Sequence, residues 1–250
     1  MAITVSALCL APVKGMQVQP VDAVRLAAHG VQGDRAFLVV GADGELLTTM
    51  RTPALLGIAA AYADGRLALR FPGGTEVAEA VEPGARATTR LYDGRELSGR
   101  LVDGALADAL SEHLGRPVRL LARDADETGA DDFPVTLMSN ASLRALAPAL
   151  GGTVPDGRRF RMTLTVEGVA AWEEHGWGGR RLAAGDAALR VVQPVPRCVV
   201  TTRSPDGGQR DTPVLKALAH MRGKADVTFG VWCEVTRPGA VRRGDVVTVL

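Results

Sequence analysis

Alternation of apolar and polar positions is the commonest pattern along this chain. It is clearest from Arg66 to Phe71 and from Ala187 to Val192, where a period of two predicts half-buried β-strands. Short runs rich in Val, Leu and Ile are separated by the pairs Asp43–Gly44, Asp64–Gly65 and Asp93–Gly94. Positive φ costs little at such pairs, so they punctuate antiparallel structure. The opening run MAITVSALCLAPVKG has no basic leader, is too short to span a bilayer and is interrupted by Pro12 and Lys14, so it is expected to be a first strand. Helical signals are fewer. One covers Ala105 to Leu114, closed by Gly115 with Pro117 beyond it; one follows Ser139 or Asn140 as N-cap to Leu150, closed by Gly151; one runs from Pro213 to Arg222 ahead of Gly223. The expected fold is therefore β-rich α+β in two closely packed parts, a hairpin-rich residues 1–104 and a second part, residues 105–250.

Composition narrows the function classes. A chain of 250 residues that is 46% hydrophobic buries a substantial core. Its 29 basic and 28 acidic side chains leave a formal charge of +1, which gives no support to nucleic-acid or membrane attraction. Cys9, Cys198 and Cys233 have no CxxC spacing and are odd in number, which argues against a disulfide framework and suits a reducing, cytoplasmic location. The histidines have no HxxxH or HExxH spacing, and GxSxG, GxxxxGK[ST] and a helix-opening GxGxxG are all missing. Zinc hydrolase, serine hydrolase, P-loop and Rossmann readings fail accordingly. The stretch Asp124 to Gly129 imitates half of a calcium loop, but Val135 stands at the twelfth position, where a bidentate carboxylate is required.

The segment Pro196-Arg197-Cys198-Val199-Val200-Thr201-Thr202 carries the strongest chemical signal. A thiol beside a guanidinium, where an extended segment ends, is suited to act as a thiolate nucleophile or metal ligand. The competing reading is a small apolar plug, because free cysteine is often buried; Cys9 and Cys233, in apolar runs, are read that way. Lys14, Arg35, Arg161 and Arg197 follow or flank turn-forming residues and together suit a clamp on a phosphate or carboxylate. The helix opening at Ser139 to Ser142 offers free backbone N–H groups and hydroxyls to the same anion if it faces the same cleft. Glu173 and Glu174 are adjacent carboxylates of the kind that serves acid–base chemistry, a reading weakened by the opposite directions of adjacent side chains in a strand.

Taken in order, these motifs resemble the MOSC superfamily, the group of the molybdenum cofactor sulfurase C-terminal domain, with an N-terminal MOSC β-barrel domain ahead of it. The resemblance rests on PVKG from Pro12, GVQGDRAFLVV from Gly30, FPVTLMSNASL from Phe133, RFR from Arg159, RCVVTTRSPDGG from Arg197, FGVW from Phe229 and PGAVRRGD from Pro238. Within the superfamily the pattern is similar to the mitochondrial amidoxime-reducing component and its bacterial counterparts. The resemblance implies a molybdenum cofactor (molybdopterin), with Cys198 as the metal's thiolate ligand. Lys14, Arg35, Arg161 and Arg197 are then implied at the pterin phosphate or ring system, with Ser139, Ser142, Thr163 and Trp232 completing the cofactor pocket. Gly15 replaces a frequent Ser, Met162 and Thr163 stand where the family often has Pro and Asn, and Trp232 stands where the reductases commonly carry Tyr. The implied activity is reduction of small N-hydroxylated or N-oxide substrates, with electrons from an external redox partner because the chain carries no flavin, haem or iron–sulfur motif. Two rivals remain: a metal-free sulfur carrier or C–S bond enzyme using a Cys198 persulfide, and a cofactor carrier without turnover.

Overall fold

The computed structural model describes residues 2–250. The chain opens with β1 (Ile3–Leu10), β2 (Gln19–Val21), β3 (Ala23–Ala27), β4 (Gly30–Val31) and β5 (Phe37–Gly41). It continues through β6 (Ala59–Ala63), β7 (Arg66–Arg70), β8 (Glu76–Ala80), β9 (Arg86–Arg90) and β10 (Glu96–Val102) to α1 (Ala105–Leu114) and β11 (Val118–Arg123). A linker leads to β12 (Val135–Ser139), α2 (Asn140–Ala145), β13 (Leu164–Glu167), β14 (Arg181–Ala184) and β15 (Ala187–Pro196). The chain closes with α3 (Val214–Arg222), β16 (Thr228–Arg237), β17 (Gly239–Arg242) and β18 (Val246–Val249).

The alternating runs become a barrel. Its strand order is β13-β12-β16-β15-β14-β18-β1, and pairing of β13 with β1 closes a ring of seven strands with β2 on the outside. Inward side chains, among them Val5, Leu8, Val135, Leu164, Leu189, Val231 and Cys233, fill the interior and are at most 1% exposed. The other unit is a half-barrel, β5-β11-β10-β9, beside the meander β6-β7-β8. Its core takes Phe37, Val39, Leu67, Leu69 and Leu120 from the strands and Leu106 and Leu110 from α1.

The division expected after residue 104 lies inside this first unit. Helix α1 buries Leu106, Ala107 and Leu110 there, and β11 pairs with both β5 and β10. Conversely β1, first in the chain, belongs to the second barrel, in register with β13 from Thr4↔Glu167 to Leu8↔Leu164. Periodicity tells which face of a strand is apolar but not which strand lies beside it. Locally the expectations fit better: α1 ends on Gly115 at φ 65, and α3 stops before Gly223. The helix after Ser139 is shorter than expected, because Pro148 supplies no N–H and the chain continues as a 3-10 turn, Pro148–Leu150.

The linker between the units presses against the half-barrel. A Cβ added at Gly129 would lie 2.5 Å from the Arg35 carbonyl oxygen and 2.8 Å from the Arg35 Cβ. Gly129→Ala is therefore expected to cost about 1–3 kcal/mol of stability, as overpacking does elsewhere. Urea denaturation checks this, and an unchanged midpoint would contradict the close approach.

Candidate functional site

At the end of β1 the chain is stitched to the turn before β5. Ala11 N donates to Asp34 Oδ1 (2.7 Å), Arg35 N donates to Ala11 O (2.6 Å), and Lys14 N donates to Phe37 O (2.8 Å). These bonds set Lys14 and Arg35 side by side. Arg123, at the end of β11, braces the same turn from behind, its Nε donating to Arg35 O (2.9 Å) and its Nη2 to Asp34 O (3.1 Å). From the barrel, Cys9 N donates to Thr163 O (3.0 Å), which brings the residues before β13 against the end of β1. Arg161 lies there, its Nη1 donating across the unit boundary to Met16 O (2.7 Å).

Arg35 (φ 48) and Arg161 (φ 54) both adopt the left-handed backbone conformation. That region costs a side chain of this kind on the order of 1–2 kcal/mol, so the surrounding bonds must hold it. Two strained arginines meeting at one place mark a site where side-chain direction matters more than backbone comfort.

The place is a cleft of about 860 Å³ between the two units, lined by Lys14, Arg35, Arg161, Thr163, Arg197, Cys198 and Trp232. Seven of the nine residues singled out from sequence thus share one cavity. Among the other cations lining it, Arg51 contacts Glu45, Arg90 pairs with Glu96 (2.6 Å), and Arg159 forms a bidentate pair with Asp211 (2.7 and 2.9 Å). Lys14, Arg35 and Arg161 remain as a group. Arg35 contacts the buried Asp34, while Lys14 Nζ donates to Gly129 O (2.9 Å) and Asp131 Oδ1 (2.5 Å). Burial pushes Lys14 below its ordinary value, with Arg35 and Arg161 adding to the fall and Asp131 opposing it. Burial, followed by the Arg35 charge, pushes Arg161 down to about 10. Asp131 is held below the usual carboxylate range: burial would raise it, but Lys14, Arg35 and Arg161 outweigh that.

Cys198 is exposed just beyond β15, ahead of the 3-10 turn Val199–Thr202. Its carbonyl accepts from Thr201 N (3.2 Å) and Thr201 Oγ1 (3.0 Å), which fixes the backbone and leaves the sulfur at the cleft. The plug reading of Cys198 is thereby excluded, whereas Cys233 is wholly buried.

Arg197 is corrected from anion fork to brace. Its Nε donates to Phe229 O (2.9 Å), its Nη1 to Phe160 O (3.0 Å) and its Nη2 to Phe229 O (2.5 Å) and Met162 Sδ (2.8 Å). The guanidinium thus ties the Cys198 segment to the turn that carries Arg161. Met162, in the place of a proline, supplies the sulfur acceptor in that tie.

Ser139 and Ser142 are corrected more fully. Both are completely buried and outside the cleft lining. The donors at the start of α2 already have an anion, because Ser139 N donates to Glu174 Oε1 (3.2 Å) and Ser142 Oγ to Glu174 Oε2 (2.9 Å). Glu174 is a buried cap, and Glu173 is an exposed residue that accepts from Ala170 N (2.8 Å), so the two form no acid–base pair.

One wall of the cleft is the outer face of the barrel. Thr136 lies opposite Trp232 in the β12–β16 ladder, Thr163 N donates to Thr136 Oγ1 (2.9 Å), and the Trp232 ring sits 5.5 Å from that of Phe133. Asp34 and Phe133 stood in the sequence motifs without a role of their own, and Arg123 and Asp131 escaped notice. The only available signals were the Asp before Arg35 and the acidic pair ahead of Phe133.

The thiols differ in reactivity. Burial pushes Cys233 up to about 12, and burial also raises Cys9. At pH 8 iodoacetamide should modify Cys198 first, Cys9 slowly and Cys233 only on unfolding, as read by peptide mass mapping. Equal labelling of Cys233 in folded protein would contradict this placement.

Comparison with known proteins supplies the context. A profile of the MOSC domain matches residues 124–248, and one of the MOSC N-terminal β-barrel domain matches residues 2–117. Mitochondrial amidoxime reducing component 2 of Bos taurus is 27% identical, across 98% of this chain and 82% of its own length. Mitochondrial amidoxime-reducing component 1 of Homo sapiens is 28% identical, across 99% and 83%. The molybdenum cofactor sulfurase of Anopheles gambiae is 28% identical across 94% of this chain, but only 34% of that protein is involved. Among solved structures, the YUAD protein of Bacillus subtilis aligns over 99% of this chain and 94% of its own, with a TM-score of 0.48 and 14% identity.

Proposed function

This chain belongs to the MOSC family, and from that premise we propose that it holds a molybdenum cofactor in the cleft between its two units and reduces N-hydroxylated or N-oxide compounds. The observation that carries the proposal is the meeting of an exposed thiol with three clustered cations in one cavity. That donor set suits the group. A thiolate is a soft ligand for a transition metal, and Lys14, Arg35 and Arg161 form a cationic seat for a pterin phosphate. Thr163 offers a hydroxyl to the ring system, and Trp232 with Phe133 offers flat apolar faces. When bound, the cofactor supplies a two-electron redox centre able to take oxygen from an N–O bond.

The residues themselves bind and orient. Cys198 lends its sulfur from a backbone fixed by Thr201. Arg197 keeps that sulfur and Arg161 in a constant relation by gripping the Phe160 and Phe229 carbonyls. The net reaction consumes two electrons and two protons for each oxygen removed and releases water. The electrons come from a separate redox partner, in keeping with relatives named as components of a reducing system.

Similarity to a molybdenum cofactor sulfurase favours a second reading, in which Cys198 carries a persulfide. Turnover separates the two. Cofactor-loaded protein given reduced viologen should convert benzamidoxime to benzamidine, and Cys198→Ala should abolish this while Cys9→Ala does not. Inert loaded protein, together with sulfide release when an added thiol reduces a Cys198 persulfide on the metal-free protein and leaves a disulfide, would overturn the reductase reading.

The seat makes its own prediction. One hydrogen bond to a charged group is commonly worth about 1.5–3 kcal/mol. Arg35→Ala should therefore weaken cofactor retention by about 10- to 150-fold. Pterin fluorescence after gel filtration checks this, and unchanged retention would remove Arg35 from the site.

A further inference from the structure

The linker from β11 to β12 brings one carboxylate into the cationic seat, and its chemistry differs from that of the other acid there. Asp34 is 5% exposed and bonded to the Ala11 backbone, so it is a permanent part of the turn. Asp131 is 61% exposed at its side chain and touches the seat through Lys14 Nζ alone among the described hydrogen bonds. Its backbone is held independently, because Arg95 Nη2 donates to the carbonyls of Ala130 (3.2 Å) and Asp131, and Tyr92 OH donates to Asp132 (2.9 Å). The Asp131 side chain can thus leave the seat without release of the linker.

We infer that Asp131 is an internal anion occupying the seat, exchanged for a bound phosphate dianion, and that the need to displace it lowers the affinity of the seat for every anion it takes. The inference rests on the phosphate reading of the cleft proposed above. Charge favours the dianion, and would do so with or without Asp131. Lys14, Arg35 and Arg161 against Asp34 and Asp131 leave one positive charge unbalanced. A monoanion that displaces Asp131 leaves that excess as it was, and so gains only one carboxylate-like contact for another. A phosphate monoester dianion that displaces Asp131 neutralises the cluster. In a partly buried site, where charges are poorly screened, that difference is large. The proximity needed is present, since Asp131 Oδ1 accepts from Lys14 Nζ (2.5 Å) and Asp131 lines the same cleft as Arg35 and Arg161. Asp132, next in sequence, bonds to Tyr92 and does not share this position.

The test uses full-length protein from a host unable to make the cofactor, titrated calorimetrically at pH 8 with inorganic phosphate and separately with acetate. Asp131→Asn should bind phosphate about tenfold tighter than the wild-type chain, and acetate tighter by about the same factor, since both anions displace the same carboxylate. Asp132→Asn makes the same change in net charge on the same linker and should leave both affinities within about twofold, since a solvated charge outside the cluster is screened. Arg35→Ala should abolish the phosphate signal. If Asp131→Asn binds phosphate no tighter than the wild-type chain while Arg35→Ala loses it, Asp131 is not the exchanged anion and this inference falls alone. If the wild-type chain gives no phosphate signal that depends on Arg35, the phosphate seat itself fails and takes the inference with it.

Discussion

Pairing of β1 with β13 is the constraint on which the rest of the molecule depends. It closes the barrel with the first strand of the chain, so the segment leaving that strand must emerge beside the residues that enter β13. Lys14 lies on the first of these segments and Arg161 just before β13, and only this closure makes them neighbours. The bond from Cys9 N to Thr163 O and that from Arg161 Nη1 to Met16 O lock the arrangement from both sides. A strand lent from one end of the chain to a barrel built from the other also explains why the two units pack as one body. The barrel does not complete its sheet without this strand from the far end of the chain.

The cleft formed in this way is electrostatically expensive. Three cations packed together and partly desolvated repel one another, and two of them sit on left-handed backbone. Folding tolerates this because Asp34 and Asp131 offset part of the charge and because Arg123 and the Ala11 backbone hold the Arg35 turn in place. Such concentrations of unfavourable charge and strain are characteristic of binding sites, where a ligand completes the balance. Arg197 illustrates the other use of a cation. It is buried against carbonyls and sulfur and serves geometry, holding the thiol and the seat in a fixed relation.

Much of this was legible in the sequence. Turn pairs and alternation marked the strands, and the order of short motifs brought Lys14, Arg35, Arg161 and Cys198 together although their separations in sequence are large. What escaped was of one physical kind, the direction and partner of a side chain once the fold is closed. Arg197 stands beside Cys198 in sequence, yet its guanidinium turns to the carbonyls of Phe160 and Phe229, both far from it along the chain. Ser139 and Ser142 have the local features of an open helix start, but Glu174, some thirty residues on, fills it. Asp131 carried no mark of its own, because nothing local says that a linker will fold back onto Lys14. The division placed after residue 104 missed for the same reason, since the partners of α1 and β11 are set by tertiary pairing.

Whether Cys198 holds a metal in this cleft decides what the cleft is for. Molybdenum should be measured by inductively coupled plasma mass spectrometry in protein purified from a host supplied with molybdate, alongside Cys198→Ala of matched circular dichroism. Near-stoichiometric molybdenum is expected in the wild-type chain, and its loss in the variant. A folded wild-type chain with only trace molybdenum, or a variant that keeps as much as the wild type, would contradict this.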